Sequence, residues 1–413
     1  MRIIIVNVNS STKSTGKIAY GQYKKLCEDG HDVRLFYGRD DLKEKDESIV
    51  RITGRTGVML HGFLARLTGL HGYFSTLQTQ KLIHEIKEFK PDLAQLYNLH
   101  GYYLNINMLL NFLKEENIPT VYSMLDEFPY LGRCCYSFDC QQFRDGCYHC
   151  RISKKEYPST WLFRDAPKYV RDKQRAYSDF QKICFVAPKW VLERADTSLL
   201  LHGKKMYEVD EYVDTNHMFF PREKYEFLPK ELTGTEKIVV LTVAPYADQR
   251  KGGRYFLDAA RQLQSNKNFQ FIYVGMNVDG VDIPDNCKAV GFVSNQDELA
   301  EYYSVADVFV CTSLADTMPN VCLDALSCGT PVIGFDNTGI PYTAEKPLGT
   351  FVENENTEEL CQAITRVKKK TTSIRSECRE YALKRYSPEV YYQKMLRIYA
   401  EMTGKIGRSN KSR

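Results

Sequence analysis

The chain has 413 residues, 43% hydrophobic and 26% charged, which fits a globular protein of two or three domains and excludes a disordered or fibrous one. A formal charge of +4, from 56 basic against 52 acidic residues, is too balanced for a dedicated nucleic-acid binder. No apolar run approaches the ~20 residues that span a bilayer. The opening MRIIIVNVNSS reads as a first strand and not as a signal peptide, so the expected location is cytoplasmic.

In chain order, Ile3 to Val6 is an apolar strand, and NSSTKSTGKIAYGQYKKLCEDG supplies a polar loop and a helix ending at Gly30. His31 to Tyr37 is the next strand. Lys81 to Phe89 is helical, Leu93 to Leu96 a strand, Tyr103 to Glu116 a helix, and Pro119 to Met124 a strand. Residues 204–236 are charged and aperiodic and separate this series from a second. The second begins with the strand Lys237 to Val243 and runs through Tyr255 to Gln264 (helix), Gln270 to Val274 (strand) and Gln296 to Tyr303 (helix). Such alternation argues parallel sheets, hence two doubly wound Rossmann-like α/β domains facing a cleft. The expected division is 1–205, 206–386 and 387–413. The last piece holds an amphipathic segment, Pro388 to Met402, expected to return to the first domain. The tail KIGRSNKSR that follows is either solvated or in weak contact with an anionic membrane.

The most informative stretch is CTSLADTMPNVCLDALSCGTPVIGFDNTGIP, residues 311–341. The strand Val308 to Cys311 ends in a polar loop carrying Asp316. The loop passes through Pro319 and Asn320 into a helix that holds Asp324 and stops at Gly329, and the strand Pro331 to Phe335 follows. In a parallel sheet this places both carboxylates and a helix N-terminus at the carboxyl edge of the strands, where open α/β sheets bind ligands. The helix N-terminus favours a phosphate, and carboxylates suit sugar and ribose hydroxyls. With 52 acidic residues, a pair eight apart is expected by chance roughly six times. The strand–loop–helix–strand context therefore carries the information, and the spacing does not.

Arg250-Lys251-Gly252-Gly253 follows a strand end and precedes a helix. Adjacent cations there can neutralise a diphosphate and stabilise its charge as it leaves; a solvated basic turn is the plain alternative. Ser10 to Lys17 precedes a helix but lacks the spacing of a Walker phosphate loop, and its Gly16 would allow close backbone approach. His100, just after a strand, is either structural or an acceptor contact. Thirteen cysteines are many for a reducing compartment. Among them Cys134, Cys140, Cys147 and Cys150 are spaced x5, x6 and x2, with Cys135 as an extra. Only the last half has typical zinc spacing. Structural zinc, buried free thiols and a disulfide or redox role all stay open.

Taken together, these residues resemble retaining glycosyltransferases of the GT-B fold, family 4, over nearly the whole chain and most specifically from Arg250 to Pro341. The family's E-x7-E motif is matched by Asp316 and Asp324, and its L-E-A-x-A-x-G-x-P-V helix by Leu323 to Val332. A subgroup acting in bacterial capsule, exopolysaccharide and O-antigen synthesis shares NLHGYYLN, here Asn98 to Asn105, and a cysteine-bearing loop, here Asp126 to Cys150. The resemblance implies transfer of a sugar from a nucleotide diphosphate sugar to a glycan or lipid-linked acceptor, without a catalytic metal and with contact at the inner membrane surface as an option. It implies catalytic roles for Arg250, Lys251 and Asp316. It implies donor binding by Gly16, Met318, Asn320, Val321 and Asp324, and an acceptor side with His100 and Asp126. Three departures stand out: both motif glutamates are aspartates, Tyr342 stands where the family often has a glutamate, and the family's His-Asp pair reads Leu125-Asp126. The two aspartates and Leu125 favour, as the alternative, a catalytically weakened scaffold in a polysaccharide assembly complex.

Overall fold

The computed structural model describes residues 1–40, 46–151, 153–163, 165–276 and 280–405. It divides into two units, Met1–Val209 with the chain from Tyr392 on, and Asp210–Tyr391.

The first unit is built on seven strands: β1 (Arg2–Asn7), β2 (Asp32–Tyr37), β3 (Ile49–Arg51), β4 (Leu93–Leu96), β5 (Thr120–Ser123), β6 (Ile183–Ala187) and β7 (Met206–Glu208). All pair in parallel, in the order β3-β2-β1-β4-β5-β6-β7. The second unit has β8 (Ile238–Val243), β9 (Phe269–Val274), β10 (Cys287–Val290), β11 (Val308–Cys311), β12 (Val332–Phe335) and β13 (Gly349–Val352), parallel in the order β10-β9-β8-β11-β12-β13. In each sheet the winding reverses once, between β1 and β4 and between β8 and β11. Such switch points leave a crevice outside the strands' carboxyl ends, where ligands bind.

The apolar runs exist because both faces of each sheet are covered. Along β8, Val239 and Leu241 enter one core with Ile272, Phe309 and Val332, whereas Val240 enters the other with Phe271, Val310 and Ile333. This is the period-two alternation of a strand. The last helix, Pro388–Thr403, leaves the second unit at Tyr391 and ends in the first. There the Tyr399 hydroxyl accepts from Gln22 Nε2 (2.6 Å) and donates to Gln95 Oε1 (2.8 Å), both buried.

Two local expectations are corrected. The helix expected from Tyr103 runs over Ile106–Glu115, because Tyr102 is left-handed (φ 67°) and the Asn105 side chain caps Met108 N at 3.1 Å. The helix expected from Lys81 begins at Thr76. Residues 406–413, the basic tail apart from Lys405, lie outside the described residues.

Candidate active site

After β8 the chain makes one 3-10 turn, Gln249–Lys251, before the helix Gly253–Gln262. Asp248 starts the turn by accepting Arg250 N at 3.1 Å. Gly252 ends it at φ 63°, where a Cβ would lie 1.9 Å from the Thr312 carbonyl oxygen. Only glycine fits so close a backbone crossing. The turn is thereby stitched to the loop after β11: Leu314 N donates to Arg250 O (2.7 Å) and Thr312 Oγ1 to Lys251 O (3.3 Å).

This crossing brings together residues 65 apart. Lys251 Nζ reaches Asp316 Oδ2 at 2.5 Å, and Arg250 Nη1 stands 3.6 Å from the same oxygen. Arg250 is further fixed by Ala315 O (2.8 Å) and Asp248 Oδ2 (3.1 Å). The Asp316 side chain is 12% exposed and those of both cations 21%, so the cluster is shielded yet open to a ligand. On the other side of the loop Gly339 N donates to Asp316 O (2.8 Å), and Thr338 Oγ1 accepts Asp316 N (3.1 Å).

The helix Asn320–Ser327 follows, with Pro319 at its N-cap and no side-chain cap. The first N–H groups of a helix have no intrahelical partner. Met318 is buried at the entry, Val321 is half-buried, and Asn320 Oδ1 is buried without a hydrogen-bond partner among the described residues. Asp324 is buried in the second turn. Arg250, Lys251, Asp316, Met318, Asn320, Val321 and Asp324 thus all follow β8 or β11, the two strands that flank the switch point.

In the first unit Gly16 lies in the first turns of the helix Lys13–Glu28, its Cβ position 3.1 Å from Asn9 Cβ and from the Ser11 carbonyl carbon. The loop before it is already occupied. Asp40 accepts Ser10 N (2.7 Å), Ser11 N (3.2 Å), Thr12 N (3.1 Å) and Thr12 Oγ1 (2.8 Å). Burial opposes the Asp40 charge, but these donors together hold its carboxyl below the usual range. A carboxylate therefore fills the amides that a phosphate would need.

Although Leu125 precedes it in sequence, Asp126 meets a histidine from another strand end. His100, after β4, places Nε2 2.5 Å from Asp126 Oδ2, after β5; both side chains are about nine-tenths buried. Asn98 Nδ2 donates to the same oxygen (3.1 Å), Phe128 N to Asp126 Oδ1 (3.0 Å), and Tyr157 Oη pairs with His100 Nδ1 (3.1 Å). His71 packs beside it at 6.1 Å between ring centroids and accepts Gly101 N at 3.0 Å. Burial, with His100 nearby, drives its pKa well below the ordinary value, so it is neutral. Asn98 and His100 lie in the NLHG signal; Tyr157, Asp40 and His71 carried no signal in the sequence.

All thirteen cysteines are free thiols. Burial pushes Cys134 well up and Cys147 to about 11. Tetrahedral zinc needs four sulfurs about 2.3 Å from one ion. Among the described residues, the only group of metal-ligating atoms within 4.8 Å of one another is His100, Asp126 and Cys135. Cys134, Cys140, Cys147 and Cys150, as placed, do not fit a four-thiolate zinc. In the group that is gathered, His100 and Asp126 satisfy each other.

Residues 237–370 match the family described as glycosyl transferases group 1. This segment is a glycosyl transferase group 1 domain. It contains both loops that form the Arg250–Lys251–Asp316 cluster. Over the longer chain, a protein assigned to colanic acid biosynthesis as a glycosyl transferase, WcaC of Escherichia coli (strain K12), is 22% identical over 381 residues, 88% of this chain and 90% of its own. Among solved structures, the sucrose-phosphate synthase of Thermosynechococcus elongatus superposes with a TM-score of 0.66 at 15% identity, over 98% of this chain and 100% of its own. Anabaena HepE, in complex with UDP and glucose, gives 0.63 at 15% identity over 97% and 100%. These likenesses establish the GT-B fold, two Rossmann-like domains with parallel sheets.

Proposed function

We propose that the protein transfers a sugar from a nucleoside diphosphate sugar to a glycan or lipid-linked acceptor, with retention at the anomeric carbon, in bacterial surface-polysaccharide synthesis. The observation that carries this is the convergence of Arg250 and Lys251 on Asp316, beside the N-terminus of the helix Asn320–Ser327, at the second sheet's switch point. The relationship to WcaC supports the polysaccharide setting, and the UDP and glucose bound by HepE support the donor class.

In this reading Arg250 and Lys251 neutralise the diphosphate, Asp316 holds the donor sugar and Asp324 the ribose hydroxyls. The amides of Met318, Asn320 and Val321 approach the sugar and phosphates. The bond from the anomeric carbon to the diphosphate oxygen breaks with its electron pair left on the phosphate. The acceptor oxygen attacks from the same face, and its proton passes to the departing phosphate oxygen. The two cations stabilise the charge that develops there, the electrostatic contribution that usually dominates. The buried His100–Asp126 pair serves the acceptor.

Arg250→Ala and Lys251→Ala should each lower the transfer rate by about 10²-fold or more with an unchanged circular dichroism spectrum. Full activity in both variants refutes the assignment. Absence of binding to any nucleotide sugar in a thermal-shift panel instead supports the scaffold reading, which the two shorter motif carboxylates favour.

A further inference from the structure

The helix Arg55–Thr68 turns its apolar side outwards. His61, Gly62 and Ala65 are buried, whereas Met59, Leu60 and Phe63 are exposed, Met59 by 73%. A second exposed apolar group, Trp161, Leu162 and Phe163, joins it. Trp161 N donates to Arg66 O at 2.7 Å, the Trp161 ring meets Phe63 edge-on at 5.8 Å, and the Phe163 carbonyl lies against Gly69 at the helix end. Six large apolar side chains, each at least half exposed, therefore form one surface, and contiguous patches of this kind mark interaction sites.

Its charge says what covers it. The helix carries Arg55 and Arg66 and no acidic residue. The adjoining loop presents exposed Arg151, Lys154 and Lys155 against the two acids Glu156 and Asp165, the latter engaged as the N-cap of the next helix. Lys154 is tied to the patch itself, its Nζ donating to Leu162 O at 2.9 Å. A rim of cations around Trp, Phe, Leu and Met suits a membrane surface: the apolar side chains enter the headgroup–acyl boundary and the cations meet anionic headgroups. Among the described residues no helix is long and apolar enough to cross a membrane.

We propose that Met59, Leu60, Phe63 and Trp161–Phe163, with Lys154 and Lys155, form a docking surface for an anionic lipid bilayer. This goes beyond the transfer reaction and is tested without any donor or acceptor. Full-length protein is mixed with vesicles of phosphatidylcholine alone or of equal parts phosphatidylcholine and phosphatidylglycerol, and the bound fraction is read by flotation. Binding to the anionic vesicles is expected, weaker in high salt. The double variant Phe63→Ser/Trp161→Ser should bind at least about tenfold more weakly. Lys154→Glu/Lys155→Glu should lose the preference for anionic lipid. UDP-induced thermal stabilisation, measured in parallel, should be the same in all variants. The proposal is overturned if the protein ignores both vesicle types, or if the variants bind like the parent. It is also overturned if the parent is a dimer in solution that the Phe63→Ser/Trp161→Ser change splits without altering vesicle binding. Absence of UDP-induced stabilisation with intact vesicle binding would count against the transferase reading alone.

Discussion

At the scale of single residues, charge placement decides what each site can do. Asp316 sits between two cations, so the loop after β11 holds a ready-paired carboxylate where an unpaired one would be costly to bury. The buried histidines behave oppositely. His61 Nε2 accepts Gly72 N (3.2 Å), its Nδ1 pairs with Ser75 Oγ (2.8 Å), and burial lowers its pKa to about 4. Between pH 6.5 and about 4 the unfolded chain takes up a proton at this position that the folded chain refuses. Its contribution therefore makes stability fall as the pH drops through that window. Urea unfolding as a function of pH should show a shallower acid slope for His61→Gln than for the parent. Equal slopes would mean that this histidine is not buried neutral.

At the scale of elements, the site depends on two loops crossing at a point where no side chain fits. Gly252 has φ 63° and no space for a Cβ against Thr312 O, and that crossing aligns Arg250 and Lys251 with Asp316. A non-glycine residue at positive φ costs about 1–3 kcal/mol, and the clash must in addition push the loops apart. Gly252→Ala should therefore lower the melting temperature and weaken nucleotide binding together. A destabilised variant with parental nucleotide affinity would show that the crossing does not set the site. The carboxylate side of the cluster is legible in the sequence, since Asp316, Asp324, Gly329 and the flanking strands lie within one short strand–loop–helix–strand unit. The short edge strands β3, β7, β10 and β13 are not. Three or four residues carry too little periodicity, and their pairing partners alone define them.

At the scale of the whole molecule, the chain's last helix is tied to its first sheet by polar bonds inside a core. Tyr399, Gln22 and Gln95 share one buried network, with Gln95 Nε2 donating on to Ser123 Oγ at 2.9 Å. Removing the hydroxyl strands two buried amides, which costs about 1–3 kcal/mol. Tyr399→Phe should lower the melting temperature and expose the final helix to limited proteolysis. A parental melting temperature and digestion pattern would mean that water replaces the hydroxyl.

The order of residues along the chain is enough to specify the alternation of strands and helices, two parallel sheets, and the carboxylate-bearing loop after Val308 to Cys311. These follow from local periodicity and turn chemistry. Which distant residues meet is settled by folding. His100 and Asp126 pair because β4 and β5 are neighbours in the sheet, so the histidine absent next to Asp126 in sequence is present in space. Asp40 occupies the amides before Gly16, and the four-cysteine spacing does not gather four sulfurs. Phe63 meets Trp161 across nearly a hundred residues to make an apolar surface ringed by cations. Strand order and chain reversal set these contacts, and neither is encoded in the spacing of the residues concerned.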